Sequence, residues 1–441
     1  MTSIVRALGR SLRSRNYRLF FAGQSISLIG TWLTRVATSW LVYRLTRSAL
    51  LLGVVGFAGQ IPTFFLAPIA GVWVDRWDRH RVLVWTQVLA MIQSALLAAF
   101  AIAERSTVFE VAVLCAMQGI INAVDMPARQ AFLVEMIEDR DDLPNAIALN
   151  SSMVNGARLI GPSMAGVLIA AVGEGWCFAI DAISYLAVIA SLLAMRVPRR
   201  AALHAPPRVL AQLREGLAYV AGFAPIRAVL LLLALVSLLG MPYAVLMPVI
   251  ASEVLHGDAN TLGFLMAASG LGALVGALYL ASRRSVVGLG RVNAIAAATF
   301  GLGLIAFSRS RSLPWSLALM LVSGCAMMIQ MAASNTILQT IVDEDKRGRV
   351  MSFYAMAFFG TVPLGSLLAG ALAERIGAPD TILVGGVGCI VGALLFMREL
   401  PQLRRLARPI YVSRGIVAVP DDPAAAVPVV SAPTDAASAG S

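Results

Sequence analysis

Polar and charged side chains recur at intervals of three or four residues within stretches of this 441-residue chain that are otherwise apolar. One such series is Gln118, Asn122, Asp125 and Arg129, which an α-helix would place on one face. A polar group in hydrocarbon needs water or a partner, so this face would line either an aqueous cavity or a contact between helices. We favour a cavity, because amides and charges outnumber the small residues typical of helix packing. The chemistry open to such a face is the binding of a polar solute or the carriage of a proton.

Two further stretches carry polar series at the same spacing. Their members are Gln24, Ser27, Thr31, Arg35 and Thr38 in one stretch, and Ser151, Asn155 and Arg158 in the other. For the first stretch a cavity and a helix contact fit equally well, since Ser and Thr also hydrogen-bond their own backbone. We take Gln24, Thr31, Gln118, Asn122 and Asn155 as candidates for a substrate cavity.

Four charged side chains in apolar stretches are candidates for coupling substrate movement to proton movement. Asp125 could carry a proton, although an ion pair with Arg129, one helical turn on, is the interpretation we favour. Arg35 and Asp181 would lie at similar depths, so they could form a pair that is either structural or part of the coupling. Arg158 has no acidic residue in its own stretch, and we expect it to meet a carboxylate, a carbonyl or an anionic group of a substrate.

The later part of the chain carries methionines in place of charges. The cavity candidates there are Tyr243, Met327, Gln330 and Met331, close to Met241, Met247, Met320 and Met328. Methionine adapts to many shapes, so a wall of Met and Tyr suits bulky, partly apolar ligands. Ordinary helix packing explains the same residues and is the interpretation we favour.

Long apolar runs must position these residues. The chain is 59% hydrophobic and 13% charged, with a mean hydropathy of +0.79, and about 20 apolar residues cross the bilayer core. Twelve spans are predicted, at residues 18–43, 49–74, 82–103, 108–129, 146–172, 176–196, 226–251, 260–281, 291–308, 313–338, 350–373 and 380–398. The predicted class is therefore an all-α membrane protein.

The distribution of charge predicts how these spans are oriented. Most of the 35 lysines and arginines fall in the tails and in alternate connections, which places both termini in the cytoplasm by the positive-inside rule. The same distribution accounts for the net charge of +11 without a nucleic-acid partner. The cysteines and histidines show no spacing typical of a metal site, so we expect no metal or cofactor.

The chain divides into two halves. Residues 1–198 and 226–400 are predicted to form six-helix bundles, residues 199–225 a cytoplasmic linker and residues 401–441 a disordered cytoplasmic tail. Within the linker, residues 208–220 have the apolar face of a short helix lying at the membrane interface, although a solvated linker fits nearly as well. Residues 161–173 align without gaps with residues 365–377, matching glycines at three positions, which suggests an internal repeat.

A short charged loop separates the second and third spans. It reads Gly71-Val-Trp-Val-Asp75-Arg76-Trp-Asp78-Arg79-His-Arg81 and resembles the signature loop of the major facilitator superfamily. With residues 31–35, 40–46, 125–130, 158–162 and 347–352, it makes the chain similar to the bacterial enterobactin-exporter and macrolide-efflux branch of that superfamily.

This resemblance implies a carrier of two pseudo-symmetric bundles in the bacterial inner membrane, exporting a small molecule against a proton gradient by alternating access. It implies a gate at the signature loop, in which Asp75 holds helix 2 against the start of helix 11, with Arg129 as a third member. Gly161 and Pro162 resemble the helix bend of antiporters but lack its longer glycine run. We expect a monomer whose partners are lipid, protons and a drug-like or siderophore-like substrate.

Two other functions fit parts of the sequence. A metabolite importer of the same fold would differ only in the direction of flux. A receptor or scaffold without transport would have no need of the polar faces of spans 1, 4 and 5. An enzyme is not expected, because the sequence shows no nucleophile–base pair, phosphate loop or metal cluster.

Overall fold

The computed structural model describes residues 10–74, 77–196, 209–283, 285–344 and 346–416, and the regular elements in these ranges are all helices. Twelve are long and are numbered α1 to α12. Their bounds are α1 Arg15–Thr46, α2 Ala49–Val74, α3 Arg79–Ile102, α4 Val108–Glu135, α5 Leu143–Val172 and α6 Glu174–Ala194, then α7 Ala224–Val254, α8 Ala259–Ser282, α9 Leu289–Arg309, α10 Leu313–Ile341, α11 Arg347–Ile376 and α12 Ala378–Ser413. A linker helix, Val209–Gly222, lies between α6 and α7.

Among the described residues, eleven helices, α2 to α12, are long and apolar enough to cross a membrane. Helix α1 is not one of them, because its arginines and its polar series lower its hydropathy. It nevertheless has 32 residues and packs against α5 and α6. The prediction of an all-helical membrane fold is confirmed.

Helices α7 and α11 are interrupted. Helix α7 contains π turns at Val236–Gly240 and Ile250–Val254, and Pro242, which lacks an N–H group, precedes its segment Tyr243–Val249. Helix α11 contains one π turn, at Met356–Gly360. π turns of this kind often mark functional sites.

The last helix is longer than the sequence analysis predicted. It runs through residue 400 to Ser413, so the first part of the predicted tail is helical. Leu400, Leu403 and Ala407 are buried at helical spacing, and Arg414 donates a 2.7 Å hydrogen bond to the Val342 carbonyl. Residues 417–441 of the predicted disordered tail lie outside the described residues.

The two halves repeat the same packing. Helix α2 packs on α4 and α3 on α6 in the first half, as α8 packs on α10 and α9 on α12 in the second. The halves meet along two helix pairs, α2 with α11 and α5 with α8. We call the side of the molecule where α1 begins and α12 ends the near side, and the opposite one the far side.

The matched glycines of the internal repeat hold equivalent places. Gly161 lies against Trp32 of α1, and Gly365 lies against Leu238 and Pro242 of α7. Gly173 and Gly377 end α5 and α11 with φ of 88° and 85°, in the left-handed region that favours glycine.

The remaining matched pair lies between the halves. Gly166 of α5 packs on Gly263 of α8, and Gly370 of α11 packs on Gly53 of α2. The repeat in the sequence therefore corresponds to the pseudo-twofold relation of the two bundles.

The linker helix covers the residues predicted for it and packs on the second half. Glu215 forms a 2.7 Å ion pair with Arg349 at the start of α11. Tyr219 donates a 3.2 Å hydrogen bond to Asp343, and Gly216 lies against Phe353.

Candidate substrate site and far-side seam

The signature loop is described in part. Gly71 lies near the end of α2, whereas Asp75 and Arg76 lie outside the described residues. Asp78 caps α3 by accepting a 3.3 Å hydrogen bond from the backbone N–H of Arg81, as an aspartate at this position commonly does.

The rest of the loop joins three helices at the near side. Arg79 forms a 2.5 Å ion pair with Glu135 at the end of α4. The Nε2 atom of His80 lies 2.7 Å from the carbonyl oxygen of Leu192 in α6. The described part of the loop thereby links α3 to α4 and α6.

Asp125 of α4 lies in a contact with α3. Its side chain is buried and accepts hydrogen bonds from Thr86 at 2.9 Å and Gln87 at 2.7 Å, and it pairs with Arg129. The favoured ion pair is therefore present. At Asp125, the face for which we favoured a cavity is instead a contact between helices.

The other polar residues of α4 are half-buried. Gln118 donates a 3.2 Å hydrogen bond to Asn122. Asn155 of α5 is also half-buried and donates to the Ser151 carbonyl at 2.9 Å. On α1, Thr31 donates to the Ser27 carbonyl at 3.0 Å, and Gln24 is buried.

Asp181 of α6 does not pair with Arg35. Its Oδ2 atom accepts hydrogen bonds from Thr34 at 2.8 Å and Ser94 at 2.7 Å, and its Oδ1 atom has no hydrogen-bond partner among the described residues. Thr34, one residue before Arg35, is an α1 residue that faces α6. The suggested ion pair is wrong because equal depth did not place Arg35 on that side of α1.

Arg35 instead lies with Arg158 on the indole of Trp32. The guanidinium carbons of Arg35 and Arg158 are 4.6 and 5.9 Å from the centroid of the ring. Neither arginine makes an ion pair or hydrogen bond in the described part of the chain. The arrangement places two positive charges beside one aromatic face between α1 and α5.

Most of the candidates in the second half pack within it. Tyr243 is buried, shares a 2.9 Å hydrogen bond with Ser269 of α8 and lies edge-on to Phe300. Met327 is buried, as is Gln330, which donates to Ser334 at 3.3 Å. These contacts support the packing interpretation for them, while Met331 is half-buried.

The sequence analysis missed a polar seam between the halves at the far side. Tyr43 of α1 donates a 2.6 Å hydrogen bond to Glu253 in the second π turn of α7. Arg47, which ends α1 with φ of 52°, donates to Ser252 at 3.2 Å. We call these contacts, together with those of Glu374 described next, the far-side seam.

Glu374 of α11 completes the seam against the start of α2. It accepts hydrogen bonds from the Ser48 hydroxyl at 3.2 Å and from the Leu50 backbone N–H at 3.3 Å. The only sequence signal for the seam was the presence of Glu253 and Glu374 near the ends of apolar spans. The glycine contacts of α2 with α11 and of α5 with α8 lie next to the seam, on the side towards the middle of the helices.

At the near side, the packing of α11 differs from its packing at the far side. Residues Arg347–Ala355 of α11 pack on α10 and on the linker helix, within their own half. A Cβ atom added to Gly156 of α5 or Gly348 of α11 would meet no atom within 4 Å. The contacts described here therefore hold the halves together at the far side.

Comparisons with a family profile and with known proteins agree on the family of this chain. The profile of the family described as transmembrane secretion effectors matches residues 10–409. The staphyloferrin A transporter of Staphylococcus aureus is 25% identical over 385 residues, which cover 86% of this chain and 95% of the relative. The multidrug efflux pump Tap of Mycolicibacterium fortuitum is 28% identical over 389 residues, covering 86% and 93%.

A solved structure shares the fold. The inward-facing, unoccupied form of a bacterial homologue of the human lysosomal transporter Spinster superposes with a TM-score of 0.69 at 14% identity. It covers 90% of this chain and 98% of that one.

Proposed function

The chain belongs to the transmembrane secretion effector family of the major facilitator superfamily; it is therefore a membrane transporter, and we propose that it exports small, partly hydrophobic molecules in exchange for protons. The observation that carries the proposal is similarity over nearly the whole chain to a multidrug efflux pump and a siderophore transporter. The proposed location is the bacterial cytoplasmic membrane, with both termini in the cytoplasm.

The proposed mechanism is alternating access. The two halves contact each other through the far-side seam and through the glycines below it, whereas the near-side start of α11 packs within its own half. Rocking the halves would separate the seam and close the near side, as expected for carriers built from two repeats. In this mechanism Asp75, with Arg129, would hold the near side closed.

Asp181 is the described carboxylate best suited to carry the exchanged proton. A buried ionised carboxylate is unfavourable unless it is paired with a positive charge. Asp125 has such a partner in Arg129, while Asp181 has two hydroxyl donors and no basic partner in the described residues. We therefore assign coupling to Asp181 and a structural ion pair to Asp125.

The direction of flux and its coupling can be tested in inverted membrane vesicles. In these vesicles the cytoplasmic surface faces outward, so an exporter should accumulate a fluorescent drug inside when the lumen is acidified. A protonophore should abolish the accumulation, and vesicles without the protein provide the control. Flux out of the vesicles under the same gradient would instead favour an importer, and accumulation that resists the protonophore would contradict proton exchange.

A parallel test uses the gene in its own cells. Deleting it should lower tolerance to some compounds in a toxicity panel or reduce siderophore secretion. A deletion strain with neither effect would argue against export.

A further inference from the structure

We infer that Arg35, Arg158 and Trp32 form the anchor for an anionic group of the substrate, so that the exported molecules are amphipathic organic anions such as carboxylates attached to a flat apolar body. This inference rests on the proposed function, which it narrows to one chemical class. None of the family relationships described above assigns these residues a role.

The position of the cluster fits a substrate site between the halves. Gly161 of α5 lets the backbone of that helix lie against Trp32 of α1, which holds the ring beside Arg158. Gly270 of α8 packs against the backbone of Arg158. The cluster therefore touches helices from both halves, midway along α1 and α5.

The two guanidinium groups are deep in the protein but remain reachable by solvent. Arg35 is exposed and Arg158 is half-buried, although Val36 and Ala157 beside them are buried. An open space between the halves explains this combination. A small molecule entering that space would meet both positive charges.

The charges in the cluster are not balanced by the protein. The two guanidinium groups lie beside the same indole ring, and the described residues provide no carboxylate for either arginine. Two cations that repel each other in a cleft with walls of low dielectric constant create a favourable place for an anion. Stacking on Trp32 offsets only part of the unfavourable charge.

The residue types also specify the shape of the ligand. A planar guanidinium binds a carboxylate or another oxyanion through two parallel hydrogen bonds. The indole face next to it favours a flat apolar or aromatic group. A ligand that carries both features side by side would use all three residues at once.

Binding can be measured without transport, on the purified full-length protein in lipid nanodiscs. The matched probes are 1-naphthoate and its neutral amide, 1-naphthamide, titrated by calorimetry. We expect naphthoate to bind at least about 10-fold more tightly than the amide, as charge-assisted hydrogen bonds imply. Equal affinity for the two probes, or no binding of naphthoate, would overturn the inference.

Variants connect the preference to the cluster. Arg35→Gln and Arg158→Gln should each weaken naphthoate binding by about 10-fold and leave amide binding unchanged, while Arg158→Lys should retain part of the preference. The control, Arg105→Gln, removes an exposed charge in the loop between α3 and α4 and should have no effect. If the arginines had a purely structural role, their variants would lose affinity equally for both probes and would have lower thermal stability.

The vesicle assay separates failure of this inference from failure of the proposed function. In one outcome, neutral or cationic probes accumulate with the proton gradient, Arg158→Gln does not change this accumulation, and naphthoate is not transported. That outcome would contradict the anion site but leave the proposed export intact. If the gradient drove no flux of any probe, the proposed export would be contradicted, but selective binding of naphthoate would still support the anion site.

Discussion

At the scale of single residues, two buried aspartates of the first half have different surroundings. Asp125 is neutralised by Arg129, whereas Asp181 is held by the hydroxyl groups of Thr34 and Ser94. Asp125 therefore has a charged partner, whereas the donors to the Asp181 carboxyl group are neutral. Only the second arrangement suits a group that must gain and lose a proton in each cycle.

We predict that Asp181→Asn uncouples transport from the proton gradient. The amide has nearly the same shape and its oxygen can still accept from Thr34 and Ser94, so the protein should fold. Proton-driven accumulation should fall at least about 10-fold, as for loss of an essential proton-transfer group, while exchange of labelled for unlabelled substrate should continue. The matched control is Ser191→Ala on the same helix, which removes a hydroxyl that donates to the Ala187 carbonyl. Full proton-driven flux in Asp181→Asn would show that another group carries the proton.

Local spacing in the sequence identified some residue contacts and missed others for a geometric reason. Asp125 and Arg129 are four residues apart, so one helix determines their pairing. The predicted Arg35–Asp181 pair required a particular rotation of α1 about its axis. The depth of a residue in its span does not reveal that rotation. Tyr43 and Glu253 are 210 residues apart, and only the packing of the two halves brings them together.

At the scale of helices, length and hydropathy predicted most elements closely, since a bilayer fixes how many apolar residues a span requires. The end of α12 was missed because its extension is amphipathic rather than apolar. Leu400, Leu403 and Ala407 pack on the second half, while Arg404, Arg405 and Arg408 lower the hydropathy of the same residues.

Also at this scale, we predict that Gly53→Ala and Gly370→Ala loosen the contact of α2 with α11. An added Cβ would lie 2.6 Å from the Ser366 carbonyl oxygen in the first variant and 2.7 Å from that of Ala49 in the second. Such overpacking costs about 1–3 kcal/mol and should shift the protein towards opening at the far side. Gly156→Ala, where the added atom meets nothing within 4 Å, is the matched control.

The opening can be followed by chemical labelling of a cysteine at position 35. The four native cysteines, which are all free, are first replaced by alanine, and Arg35→Cys is added. A membrane-impermeant maleimide applied to intact cells should label this cysteine faster in the two glycine variants than in the control. Equal labelling rates would mean that the α2–α11 contact does not limit access from outside.

At the scale of the whole molecule, the glycine contacts and the polar seam would both act on the proposed rocking of the halves. The glycines allow the helix backbones to approach, and the seam adds hydrogen bonds that join the halves at the far side. Because Glu253 and Glu374 lie on the second half and their donors on the first, separating the halves breaks both sets of contacts. In the proposed alternating access, the seam would therefore favour the state that is closed at the far side without touching substrate.

We predict that Tyr43→Phe and Glu253→Ala shift the whole molecule towards the state that is open at the far side. Loss of one hydrogen bond to a carboxylate is worth about 1.5–3 kcal/mol, which changes the ratio of the two states by about 10-fold or more. Spin labels can be placed at exposed positions 105 and 311, in far-side loops of the two halves. Double electron–electron resonance should then show a larger population of long distances between the two labels. The control is Ser39→Ala, which removes a hydroxyl that bonds its own helix at the Val36 carbonyl. Unchanged distances in both seam variants would leave the glycine contacts as the main support of the closed far side.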